Sequence, residues 1–169
     1  MSEVIAALLG VIAGGLVQTI LALRTRRHEA ESILVAIAAE VDSICRLVRI
    51  QRYQETVAEV IGDLTQPDAL ATTVVVDIGS NYFSVFESLS DQVGKLDPKQ
   101  VLKIVNFYAF CKAAIDSSRP DGIMADENRV DVLLANAQNL ELLLDALLRV
   151  GDDIVQMPKT PIHSELVRR

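Results

Sequence analysis

An uncharged run of twenty residues, 4–23, limits what this chain can fold into more than any other feature. Eleven of the twenty are Leu, Ile or Val, and only Gln18 and Thr19 are plainly polar. A helix of this length spans about 30 Å, the thickness of the hydrocarbon core of a bilayer, and its aliphatic side chains favour insertion by about 3 to 6 kcal/mol. The run therefore predicts a transmembrane helix, and a helix buried at the core of an oligomer is the alternative.

The charges that flank this run predict its orientation. Arg24, Arg26 and Arg27 follow it, whereas Glu3 precedes it. A cleaved signal peptide carries positive charge before its apolar run, so the order seen here does not favour one. Because basic residues beside a span stay in the cytoplasm, we expect a single-pass protein of the inner (cytoplasmic) membrane, with its N-terminus outside and its C-terminal domain cytoplasmic.

Small residues recur every four positions within the same run, at Ala6, Gly10 and Gly14. On a helix this spacing places them along one face, where they leave a shallow groove that another helix can approach closely. The pattern predicts a helix–helix interface.

The rest of the chain is patterned as amphipathic helices. Apolar residues spaced three and four apart predict a long helix that continues from the span to about residue 64, a short helix near 82–93, a helix that begins at Asp97 and Pro98, and a last helix over about 126–155. Three valines at 74–76 have no second strand to pair with, so we expect a loop or short helix over 65–81. The predicted fold class is all-α, with an N-terminal transmembrane helix continuing into a long helix that packs in a cytoplasmic helical bundle.

This pattern divides the chain into a transmembrane helix with its basic flank (1–27), a cytoplasmic helical domain (28–157) and a C-terminal tail (158–169). The last helix holds a heptad spacing, and Leu134, Leu143 and Leu148 widen its apolar stripe beyond a two-stranded seam. We therefore expect these three leucines to form a partner surface. The aromatic clusters at 82–86 and 107–110 are expected to pack together.

The net charge argues against nucleic acid as a partner. The whole chain carries −7 and its first 27 residues carry +2, so the remainder carries −9 and would repel phosphates. Residues 74–81, Val-Val-Val-Asp-Ile-Gly-Ser-Asn, resemble the first phosphate loop of the actin-like ATPases and exopolyphosphatases. That family needs a multistranded sheet and a second phosphate loop, which this sequence lacks, so we interpret the segment as a turn.

Other candidate chemistry is weak. The pairs His28 and His163, and Cys45 and Cys111, are each far apart in sequence, which does not favour a metal site or a cysteine nucleophile with a histidine base. We therefore predict no catalytic, cofactor-binding or metal-binding residues, no cofactor and no enzyme activity.

Three motifs together resemble those of small bacterial proteins with one N-terminal membrane span, an Arg-rich flank and a long helix. They are Phe83-Ser84-Val85-Phe86-Glu87-Ser88, Gly94-Lys95-Leu96-Asp97-Pro98 and Phe107-Tyr108. The resemblance implies a bacterial origin and carries no activity with it.

The resulting functional prediction is a non-catalytic, membrane-anchored scaffold or accessory subunit that associates with itself or docks on a larger membrane complex. Its expected partners are membrane lipid and either a second copy or that larger complex. The alternative is a membrane-associated signalling or stress-response effector gated by its cytoplasmic domain.

Overall fold

The computed structural model describes residues 2–74, 82–119 and 127–159, with side chains described for 15–74, 82–119 and 127–158. Every regular element in these ranges is helical, which confirms the all-α fold class. The α-helices are α1 (Ser2–Ile50), α2 (Tyr53–Leu64), α3 (Ser84–Leu89), α4 (Pro98–Ser118) and α5 (Val130–Gln156). Two 3₁₀ helices cover Ser90–Lys95 and Met157–Lys159.

Helix α5 lies at the centre of the bundle, antiparallel to α1, α2 and α4. Asp152 near its C-terminus pairs with Arg49 of α1 at 2.8 Å, and Asp145 accepts a hydrogen bond from Gln54 of α2. Its predicted heptad stripe is buried against these neighbours. The core therefore forms around α5, as the wide apolar stripe of this helix requires.

The long helix predicted to reach residue 64 is interrupted at Arg52, which adopts a left-handed backbone with φ 56° and ψ 37°. The buried stripe of α1 includes Val41, Cys45 and Val48, and it resumes at Val57, nine residues after Val48. At 100° per residue, an unbroken helix would place Val57 about 180° from Val48. The left-handed residue absorbs this shift and keeps both helices against α5, and no Gly or Pro signals it.

Two local predictions are confirmed. Asp97 caps α4 in a capping box, since its side chain accepts from the Lys99 amide and the Gln100 side chain accepts from the Asp97 amide. The aromatic clusters also meet, because Phe86 stacks on Tyr108 with ring centroids 4.0 Å apart. These contacts fix α3 to α4.

The segment 65–74 has no regular secondary structure beyond a turn at its start, and it ends with Val74 buried in the core. This agrees with the loop expected there. The rest of the phosphate-loop-like segment, 75–81, lies outside the described residues.

The predicted membrane span is wrong. Within the residues that the structure describes, no helix combines the length and the apolar character that crossing a membrane needs. Every eighteen-residue stretch of α1 from Gly15 onward carries more than two charged residues, beginning with Arg24, Arg26 and Arg27. The predicted single-pass localisation, with the N-terminus outside the inner membrane, is corrected accordingly, and α1 crosses the predicted boundary at residue 27 without a break.

Candidate functional site

The candidate site is the N-terminal part of α1, residues 2–28, which we call the arm. It spans about 40 Å at 1.5 Å per residue. Its described side chains, from Gly15 to His28, are all exposed. The bundle begins where Glu29 pairs with Lys95 at 2.9 Å and Ile33 becomes buried. The part of the arm whose side chains are described, from Gly15 to His28, is therefore helical without packing against the core.

Large apolar side chains cover one side of the arm and define what we call the apolar arc. They are 52 to 61% exposed, and at 100° per residue they cover roughly 160° of the helix circumference. The opposite side carries small or polar residues. The apolar arc comprises Leu16, Val17, Ile20, Leu21 and Leu23, and the opposite side comprises Gly15, Gln18, Thr19, Ala22 and Thr25.

The arm is amphipathic, and its apolar arc packs against no other part of the described residues. On the opposite side, a Cβ placed at Gly15 would also meet nothing within 4 Å. Burying the remaining exposed area of each of these aliphatic side chains would contribute about 1 kcal/mol of favourable free energy. Five of them clustered on one helix side constitute a surface suited to association.

The predicted basic cluster lies at the base of the arm. Arg24, Arg26 and Arg27 are all exposed, and Arg27 pairs with Glu31 one helical turn later, at 3.3 Å. Ala6, Gly10 and Gly14 fall on α1, but their side-chain surroundings lie outside the described residues.

The three leucines predicted to form a partner surface on α5 separate in the structure. Leu148 is buried in the main core, Leu134 packs against a small second cluster, and Leu143 is half-buried. The neighbouring Leu142 is the exposed one, at 67%. Most of the widened apolar stripe is thus buried or half-buried inside the bundle, because α5 packs against three helices rather than one.

Glu40 organises a polar junction that sequence reasoning missed. Its carboxylate accepts from the Val85 amide at 2.7 Å, the Phe86 amide at 3.1 Å and the Tyr108 hydroxyl at 2.6 Å. Burial, and then this hydrogen bond, raise the pKa of Tyr108 well above its usual range. Through these three hydrogen bonds, Glu40 anchors α3 and α4 to α1.

The two cysteines are poor nucleophiles. Burial raises the pKa of Cys45 to about 11 and that of Cys111 to about 12. A reactive cysteine has a lowered pKa and some exposure. In the described ranges, no group of three His, Cys, Asp or Glu residues is placed to hold a metal ion.

No protein-family model, curated protein or solved structure matches the chain. The resemblance to small bacterial membrane proteins therefore stays a prediction.

Proposed function

We propose that this protein is a non-catalytic helical scaffold that associates with a second copy of itself through the arm. The observation that supports the proposal is the exposed apolar arc of residues 16–23. From Ile33 onward, the apolar stripe of α1 is buried against the rest of the bundle, so the fold does not depend on the arm. A long helix that carries an unpartnered apolar side is suited to pairing with another helix.

Charge favours a second copy arranged antiparallel. If the twofold axis passes between Gly14 and Gly15, residue i of one arm lies opposite residue 29 − i of the other. The basic cluster of one arm then lies beside the end that carries Glu3 of the partner subunit, at both ends of the pair. A parallel pair would instead place the arginine clusters side by side, which costs energy through like-charge repulsion.

This arrangement gives the scaffold its geometry. The Ile33 positions at which the two bundles begin would be about 55 Å apart along the paired arms. Each bundle would keep its own exposed surface on α4 and α5, including Leu102 and Leu142. The function supported best is therefore to hold two helical bundles at a fixed separation.

Sedimentation of the full chain tests self-association. The disruptive variant is Leu16→Glu/Ile20→Glu, which places two charges within the apolar arc. The matched control is Gln18→Glu/Ala22→Glu, which places two glutamates on the opposite side of the arm. Circular dichroism checks that all three proteins keep the same helix content.

We expect the wild type and the control to be dimeric and the disruptive variant to be monomeric. Two half-exposed aliphatic residues in each of two copies contribute about 4 kcal/mol, so the dissociation constant should rise about a thousandfold. A monomeric wild type, or a disruptive variant as dimeric as the wild type, would contradict the proposal. The proposal would also be contradicted if the wild type is monomeric and its apolar arc binds phospholipid vesicles instead of a second copy.

A further inference from the structure

An apolar cavity of about 50 Å³ lies inside the bundle, between the C-terminal end of α1 and helices α2, α4 and α5. Its walls include Val57, Cys111, Ala114 and Leu144. The Ser118 hydroxyl, which also faces it, already donates to the Ala114 carbonyl at 2.8 Å. An apolar cavity without free polar partners stays dry and favours an apolar occupant over water.

One side of the cavity is closed by two tyrosines that are only partly buried. Tyr82 is 40% exposed and Tyr53 is half-buried, whereas Val57, which also lines the cavity, is fully buried. The cavity therefore reaches solvent beside the two tyrosines. Its own lining is almost wholly apolar.

From this shape we propose that the cavity binds the short alkyl group of a small amphiphile, whose polar end stays in solvent beside Tyr53 and Tyr82. The volume is about a third of the roughly 150 Å³ of an engineered cavity that takes benzene, so it suits an alkyl group of a few carbons. A ligand whose tail carries a charge is excluded from the cavity, because no charged side chain lines the interior to pair with it. The site is separate from the arm, and its test does not depend on self-association.

Titration of the full-length protein with butan-1-ol, followed by amide chemical shifts, tests the proposal. The filling variant is Ala114→Leu, which occupies the cavity. The matched control is Ala109→Leu, on the same helix at an exposed position that does not line the cavity. We expect saturable shifts centred on Val57 and Leu144 in the wild type and the control, and binding at least tenfold weaker in the filling variant.

A second variant covers the case in which Ala114→Leu does not fold. Val57→Ala enlarges the cavity by two methyl groups, so the preferred ligand should move from butan-1-ol to a longer alcohol such as hexan-1-ol. Shifts that do not saturate, binding that survives filling, or a chain-length preference that is unchanged in Val57→Ala would each overturn the proposal.

Discussion

Helix α1 packs tightly on α5 at Gly151, and replacing this glycine with alanine should destabilise the bundle. A Cβ added there would overlap the Cys45 sulfur, lie 3.0 Å from a ring carbon of Phe107 and sit 3.4 Å from a methyl of Val41. All three neighbours are at most 1% exposed, so none can move into solvent. The new methyl group must displace packed core atoms.

Two opposing terms set the size of the effect. Alanine favours a helix over glycine by about 1 kcal/mol, whereas an extra methyl in a packed core costs about 1 to 3 kcal/mol. Because the overlap with Cys45 is severe, we expect the upper part of that range and a net loss of about 1 to 2 kcal/mol. For a chain of this size, that lowers the melting temperature by about 2 to 8 °C.

Urea unfolding followed by circular dichroism measures this loss, and Gly62→Ala is the matched control. A Cβ at Gly62 of α2 meets nothing within 4 Å, so only the helix-propensity term applies. We expect that control to gain about 0.5 to 1 kcal/mol. In the double variant Cys45→Ala/Gly151→Ala, removal of the Cys45 sulfur makes room for the new methyl group. The double variant should therefore lose less stability than the sum of the two single variants, by about 1 kcal/mol or more. A Gly151→Ala protein as stable as Gly62→Ala would refute this packing of α1 on α5.

Three further outcomes follow from the same structure. Tyr108→Phe removes a donor to Glu40 and should cost about 1.5 to 3 kcal/mol in urea unfolding; an unchanged midpoint would show that the junction does not contribute. The raised pKa values of Cys45, Cys111 and Tyr108 mean that the folded state holds protons that the unfolded chain releases. Stability should therefore be constant just below pH 9 and fall as pH rises above it, whereas a flat profile to pH 11 would contradict their burial. Gly15→Leu should leave both bundle stability and dimerisation in sedimentation unchanged, because its side chain meets open space on the side of the arm opposite the apolar arc; weaker dimerisation would place that side in the interface.

Much of the bundle could be predicted from the sequence because its helices carry local signals. The capping box at Asp97 and the three-and-four spacing on α5 both depend on residues within a few positions of each other. The pairing of the aromatic clusters followed from their composition, since few other aromatic residues were available.

The remaining features depend on contacts between distant residues. Glu40 accepts from groups 45, 46 and 68 positions away, and nothing in its own neighbourhood distinguishes it from a solvent-facing glutamate. The interruption at Arg52 had a signal, the shift of the apolar stripe between Val48 and Val57, but the absence of Gly and Pro concealed it. The apolar run of the arm was recognised but interpreted as a membrane span, because composition alone does not separate the environments that can cover an apolar helix.

A spin-label distance measured between two copies tests the central claim most directly. Thr25 is exposed on the arm, and Thr25→Cys can be labelled selectively because Cys45 and Cys111 are buried. An antiparallel pair centred between Gly14 and Gly15 predicts about 32 Å between the two labelled positions along the helix axis. A parallel pair, with axes 8 to 10 Å apart, would give a distance below about 20 Å. The account predicts a single population near 32 Å, and a short distance or no dipolar coupling between copies would contradict it.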